Sequence, residues 1–150
     1  MMRLPSLPRL RGLGAYAALL LVACVAHAGG ILTAPQAQEQ VKAGTITLID
    51  IRTPEEWRQT GVAAGAVPIN MLAPKPPQGF LEALLARVKG DRDAPIALIC
   101  RTGNRSTQLQ RFLEEQGFSR VYNVKEGMAG SAAGPGWITR GLPVDSCQQC

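Results

Sequence analysis

Two short runs that are apolar at almost every position, Thr45 to Ile51 and Pro95 to Ile99, constrain this chain more than any other feature. A strand with one wet face alternates apolar and polar side chains, whereas a run without alternation suits a strand covered on both sides. Helix-like segments surround these runs. Pro35 to Ala43 reads as a short helix stopped by Gly44. Thr53-Pro54-Glu55-Glu56 reads as a helix start, with Thr53 as cap, Pro54 at the first helical position and Glu56 placed for a capping box. That helix is short, because Gly61 follows Trp57 closely. From Gln78 to Lys89, after the stiff Pro74-Lys75-Pro76-Pro77 loop, Phe80, Leu81, Leu84, Leu85 and Val88 recur at helical spacing up to Gly90. A last helix, from about Ser106 to Gln116, turns Leu109, Phe112 and Leu113 inward before Gly117. Ala66 to Met71 and Val121 to Val124 supply further strands. Alternating strands and helices imply an α/β fold with a central, mostly parallel sheet and helices on both faces. Ligands bind beyond the carboxyl ends of such strands, and Cys100 stands at one of those ends.

The first 28 of the 150 residues read as a leader. Arg3, Arg9 and Arg11 form a basic start, and Leu13 to Val25 an uncharged stretch rich in Leu and Ala. It is short for a spanning helix, which takes about 20 apolar residues. Ala26-His27-Ala28 offers a small-x-small cleavage site that leaves Gly29 first, while Leu21-Val22-Ala23-Cys24 resembles the lipobox of bacterial lipoproteins and makes Cys24 a lipidated anchor. A third reading leaves the leader uncleaved as a membrane anchor; on all three, residues 29 to 150 form one exported domain with a short C-terminal tail, expected as a monomer in the bacterial periplasm. A membrane is met only through the leader or a lipid on Cys24.

The formal charge of +5 falls to +2 over residues 29 to 150, which hold 13 Lys plus Arg against 11 Asp plus Glu. With no Lys/Arg block, nucleic acid is excluded as an expected partner. Beyond the leader the cysteines are Cys100, Cys147 and Cys150. In an oxidising compartment Cys147-Gln148-Gln149-Cys150 can close on itself and leave Cys100 as the odd thiol. The only histidine, His27, falls in the leader. Cys-His and Ser-His-Asp chemistry and His-ligated metals are therefore excluded, and a nucleophilic cysteine here needs cations, backbone dipoles or a helix terminus.

Cys100-Arg101-Thr102-Gly103-Asn104-Arg105 supplies these, since it turns from a buried strand into a helix. Such a turn points backbone N–H groups inward and aims the positive helix end at the sulfur. Gly103 permits the sharp bend, and Arg101 and Arg105 add positive charge, so thiolate is favoured over thiol. The competing reading makes Cys100 a small buried hydrophobe at a strand end. That reading leaves unexplained why two arginines and a glycine crowd the five positions after it.

The loop from Cys100 to Ser106, C-R-T-G-N-R-S, resembles the active-site loop of single-domain rhodaneses. The likeness extends to Leu48-Ile49-Asp50-Ile51-Arg52-Thr53-Pro54-Glu55-Glu56-Trp57 and to Trp137 with Gly141-Leu142-Pro143-Val144, covering about residues 36 to 145. It implies a rhodanese-like three-layer sandwich and a sulfurtransferase that needs no cofactor or metal. Cys100 would attack the outer sulfur of a small anionic donor such as thiosulfate, sulfite would leave, and the resulting persulfide would pass its sulfur to cyanide or a thiol. Arg101, Thr102, Gly103, Asn104, Arg105 and Ser106 would cradle the donor, with Arg101 and Arg105 adding charge and Ser106 capping or beginning the helix. Asp50 and Arg52 would brace the loop or form a structural ion pair. Two departures bear on the substrate. Thr60 to Ala66 stands where the family usually has a histidine and Pro-Gly, and Ala129 to Gly136 resembles an insertion near the donor entrance.

Three rivals remain open. Related phosphatases and arsenate reductases place five residues between cysteine and arginine, whereas four separate Cys100 from Arg105. A low-turnover sulfane-sulfur carrier would form the persulfide without repeated transfer. Cys147 and Cys150 are either a redox pair serving Cys100 or a tail disulfide, and two cysteines cannot complete a zinc site. Trp57, Phe80, Phe112 and Phe118 fall at core-like spacings, and Trp137 is expected beneath the loop.

Overall fold

The computed structural model of the protein describes residues 29–72 and 74–150, so the leader with Cys24 and His27 lies outside the described residues. In chain order come β1 (Ile31–Leu32), α1 (Ala34–Lys42), β2 (Thr47–Asp50), α2 (Pro54–Thr60), β3 (Val62–Ala63), β4 (Val67–Pro68), α3 (Gln78–Arg87), β5 (Ile96–Ile99), α4 (Asn104–Glu115), β6 (Val121–Val124) and β7 (Val144–Asp145). Five strands form a parallel sheet in the order β1-β6-β5-β2-β4. The other two, β3 and β7, pair antiparallel.

The central strands bury both faces. Leu48, Ala97 and Ile99 pack with Ala34 and Ala37 of α1. Ile49, Ile96, Leu98 and Cys100 point the other way, toward Phe80 and Leu84 of α3 and Leu109 and Leu113 of α4. Alternate side chains leave opposite faces of a strand, so a continuous apolar run feeds two cores at once. Helices thus cover both faces of the sheet, in three layers. Trp137 is buried on the α1 side, not against the Cys100 face, which corrects its expected place beneath the loop. Its Nε1–H donates to the Pro143 carbonyl at 2.8 Å.

Local chemistry sets most boundaries. Thr33 with Gln36 and Thr53 with Glu56 form two capping boxes, each with Pro in the first helical turn. The strand expected over Ala66 to Met71 shortens to β4, although the Ile69 and Met71 amides still donate to the Asp50 and Ile51 carbonyls. The helix expected from Ser106 begins two residues earlier, at Asn104, because Gly103 takes a left-handed conformation with φ 84° and serves as its cap. The two-residue strands β1, β3 and β7 are too short to show a period in sequence.

Candidate active site

β5 delivers Cys100 fully buried, at the head of α4. The Gly103 amide donates to Cys100 Sγ at 3.1 Å, and Ser106 Oγ lies 3.5 Å from the same sulfur. Ser106 Oγ and Thr107 Oγ1 also donate to the Gly103 carbonyl, at 3.1 and 2.7 Å, which holds the turn closed. A side chain on Gly103 would strike the Lys125 carbonyl, and one on Gly127 the Arg101 carbonyl, so only glycine fits where these backbones cross. The segment after β6 is laced to the loop, since the Met128 and Ala129 amides donate to the Cys100 and Arg101 carbonyls, each at 2.9 Å. The sulfur therefore faces an inward amide and the positive end of a 12-residue helix. Arg101, Thr102 and Asn104 lie exposed outside it.

Arg105 takes a different place from the one expected. Its Nη1 and Nη2 donate to Glu56 Oε2 and Oε1 at 2.8 and 2.6 Å, so this guanidinium is committed to a carboxylate. Glu56 Oε2 also accepts the Thr53 amide at 3.0 Å, closing the capping box. Burial opposes ionisation of Glu56, but the bonds from Arg105 and Thr53 and the charges of Arg105 and Arg52 outweigh it and lower its pKa to about 2. Arg105 is correspondingly raised, first by its hydrogen bonds with Glu56 and then, against burial, by the nearby negative charges of Glu56, Cys100 and Asp50.

Asp50 and Arg52 are both buried. Arg52 Nη2 donates to Asp50 Oδ2 at 2.7 Å and to the Gly61 carbonyl at 2.7 Å, Nε donates to Asp50 Oδ1 at 2.9 Å, and Nη1 donates to Thr60 Oγ1 at 2.8 Å. The pair thus fastens the end of β2 to the end of α2 at Thr60 and Gly61. These bonds reach α2, not the cysteine loop, and it is Glu56 on α2 that grips Arg105. Asp50 and Arg52 thus form a structural ion pair, and the tie from α2 to the loop is made by Glu56, which the sequence reading assigned to helix capping alone.

A cavity of about 250 Å³ opens beside the loop. Arg101, Gln59 and Thr60 line it together with Met128, Ala129 and Ile138. The segment from Ala129 to Gly136 is rooted by the buried Glu126, whose carboxylate accepts the Ala34 and Gly136 amides at 2.7 and 2.9 Å and Arg140 Nε at 2.8 Å. Burial works against ionisation there too, and the Arg140 and amide bonds win, lowering the Glu126 pKa. Sequence reasoning missed Glu126, because its partners lie up to 92 positions away.

Cys147 and Cys150 are paired as a disulfide, and Cys100 is the free cysteine among the described residues. The tail is held by β7 against β3 and by Arg58 Nη1, which donates to the Cys150 carbonyl at 3.0 Å. Among the described residues no cluster of His, Cys, Asp or Glu could hold a metal.

The family model described as "Rhodanese-like domain" matches residues 33–133. A sulfurtransferase of Allochromatium vinosum is 32% identical over 99 residues, covering 66% of this chain and 78% of that protein. The solution structure of a polysulfide-sulfur transferase homodimer from Wolinella succinogenes is similar with TM-score 0.59 and 29% identity, over 81% of each chain. A crystal structure of a protein from M. tuberculosis is similar with TM-score 0.63 and 29% identity, over 81% of this chain and all, 100%, of that one.

Proposed function

This chain belongs to the rhodanese-like domain family, and on that basis we propose that it is a sulfurtransferase whose Cys100 carries the sulfur. The thiolate attacks the outer sulfur of a donor such as thiosulfate, the donor's S–S bond breaks, and sulfite leaves with the electron pair. Cys100 is left as a persulfide, and a thiolate or cyanide then takes the outer sulfur and restores the free thiolate. The observation that carries this reading is the Gly103 amide donated to Cys100 Sγ at 3.1 Å, at the head of α4. A backbone donor and a helix dipole favour negative charge on sulfur without any base. Export is part of the proposal and rests on the leader pattern in residues 1–28.

The burial of Cys100 supports a second reading, a carrier that loads sulfur but turns over slowly. Phosphate monoester chemistry is disfavoured because only four residues separate Cys100 from Arg105, one fewer than a loop enclosing a full phosphate places there. The test is to treat the protein with thiosulfate and locate added sulfur by intact and peptide mass spectrometry. One added sulfur is expected on Cys100 and none in Cys100→Ser. Sulfur found elsewhere, or still present in that variant, removes Cys100 from the proposal, and loading without repeated transfer selects the carrier.

A further inference from the structure

We infer that the tail disulfide between Cys147 and Cys150 is a second reactive site, one that exchanges with a dithiol reductant while the domain stays folded. It stands on residues separate from the Cys100 loop and goes beyond the sulfurtransferase reading.

The bond has little to hold together. Its cysteines stand three positions apart, so it closes a small loop and removes little freedom from the unfolded chain. The tail is already fixed by other means. Strand β7 pairs with β3, the Gly65 amide donates to Asp145 Oδ2 at 2.9 Å, and the Ala64 amide donates to the Pro143 carbonyl at 3.0 Å. The bond is also within reach. Neither cysteine joins the buried clusters on the two sides of the sheet, and both are half-buried among the exposed Ser146, Gln148 and Gln149. These five residues alone line a surface depression, so a molecule seated there meets the disulfide itself. Disulfides that solvent reaches are the labile ones. Charge favours one direction of attack. Arg58 Nη1 donates to the Cys150 carbonyl at 3.0 Å, which brings a guanidinium to the residue whose sulfur would leave. Its acidic neighbour, Glu55 at 3.7 Å, forms a pair of exposed side chains that water screens, so the cation remains able to favour a thiolate.

The reductant is a dithiol, HS–R–SH, and the exchange balances with it alone. One of its thiolates attacks Cys147 Sγ, the bond to Cys150 Sγ breaks, and Cys150 leaves with the electron pair beside Arg58. The second thiolate of R then attacks the first, a cyclic disulfide of R forms, and Cys147 leaves as thiolate. Two electrons and two protons pass from the dithiol to the pair. A single thiol fares worse, because the Cys150 thiolate, three positions away, returns to Cys147 and expels it before a second molecule arrives.

The test is the rate at which dithiothreitol reduces the pair in the full-length protein, read by quenching, alkylation and mass spectrometry of the peptide that carries Cys147 and Cys150. The rate is taken in native buffer and again in enough urea to unfold the chain, which leaves charge unscreened. The native rate is expected to exceed the unfolded one by about threefold, the size of effect that one exposed charge supplies. Arg58→Gln should remove that margin and leave the unfolded rate unchanged, while Arg58→Lys, which keeps the charge, should retain it. Circular dichroism of the reduced protein should match that of the oxidised one. A native rate below the unfolded one, a native rate that Arg58→Gln does not move, or loss of the fold on reduction overturns the inference. Each of these outcomes leaves the sulfurtransferase reading standing, because that reading is decided by thiosulfate loading of Cys100.

Discussion

The two capping boxes are near copies in sequence and unlike in consequence. Thr33 with Gln36 opens α1, and Thr53 with Glu56 opens α2, each box closed in both directions. In the first, Gln36 Oε1 accepts the Thr33 amide at 2.9 Å and Thr33 Oγ1 at 3.1 Å, and both residues are exposed. In the second, the carboxylate that caps the helix also takes both Nη groups of Arg105, 49 positions away. The same local device becomes part of a site where a second charge is brought to it. An amide at position 56 could cap as well, but it could not bind a guanidinium through two charged oxygens.

That contrast can be broken most forcefully at Glu56 itself. Glu56→Ala removes half of the capping box and leaves Arg105 without its carboxylate, so a loss of about 2 kcal/mol is expected in urea unfolding. A fall of about tenfold in sulfur-transfer kcat/KM should accompany it, since the helix carrying the cysteine loop loses its tie to α2. Gln36→Ala should cost less than half as much stability and leave transfer unchanged; equal effects at the two positions would show that the Arg105 link carries nothing. Thr53→Ala and Thr33→Ala sharpen the comparison further. Each should lose about 1 kcal/mol as a cap, with transfer rates reduced only in the Thr53 variant.

The smallest expected effect is on pH dependence. Because folding lowers the Glu56 pKa from 4.5 to about 2, its contribution is fully present above pH 4.5 and is lost as pH falls toward 2. Glu56→Gln should flatten the decline of stability in that window. Gln36→Glu, with no arginine to meet it, should not steepen the decline to the same degree. Equal acid slopes for the wild type and Glu56→Gln would contradict the assigned ion pair.

Much of the sheet was legible because its signals are local. The apolar runs at β2 and β5, the strand at Val121 to Val124 and the cap at Thr53 each declare themselves within a few residues. The cysteine loop is legible for the same reason: strand end, glycine and helix start are contiguous from Ile99 to Arg105. The partner of Arg105 is not local. Asp50 pairs with Ile99 across two parallel strands, and Glu56 and Arg105 each stand six positions beyond their member of that pair. Parallel register carries both chains the same distance to the first turns of α2 and α4, which brings acid and base together. Asp50 and Arg52 were legible as a pair, but their attachment to Thr60 and Gly61 depends on where α2 ends.

The sequence by itself determined the α/β alternation, the cysteine at a strand end and the glycine that bends the chain after it, because periodicity and turn chemistry act over a few residues. Only the tertiary structure decided that Arg105 faces Glu56, that Arg101 lines the cavity with no acidic partner among the described residues, and that Glu126 anchors the segment bearing Ala129. Those partners are chosen by strand register and close backbone crossings between distant segments, and the pattern of neighbours along the chain does not encode them.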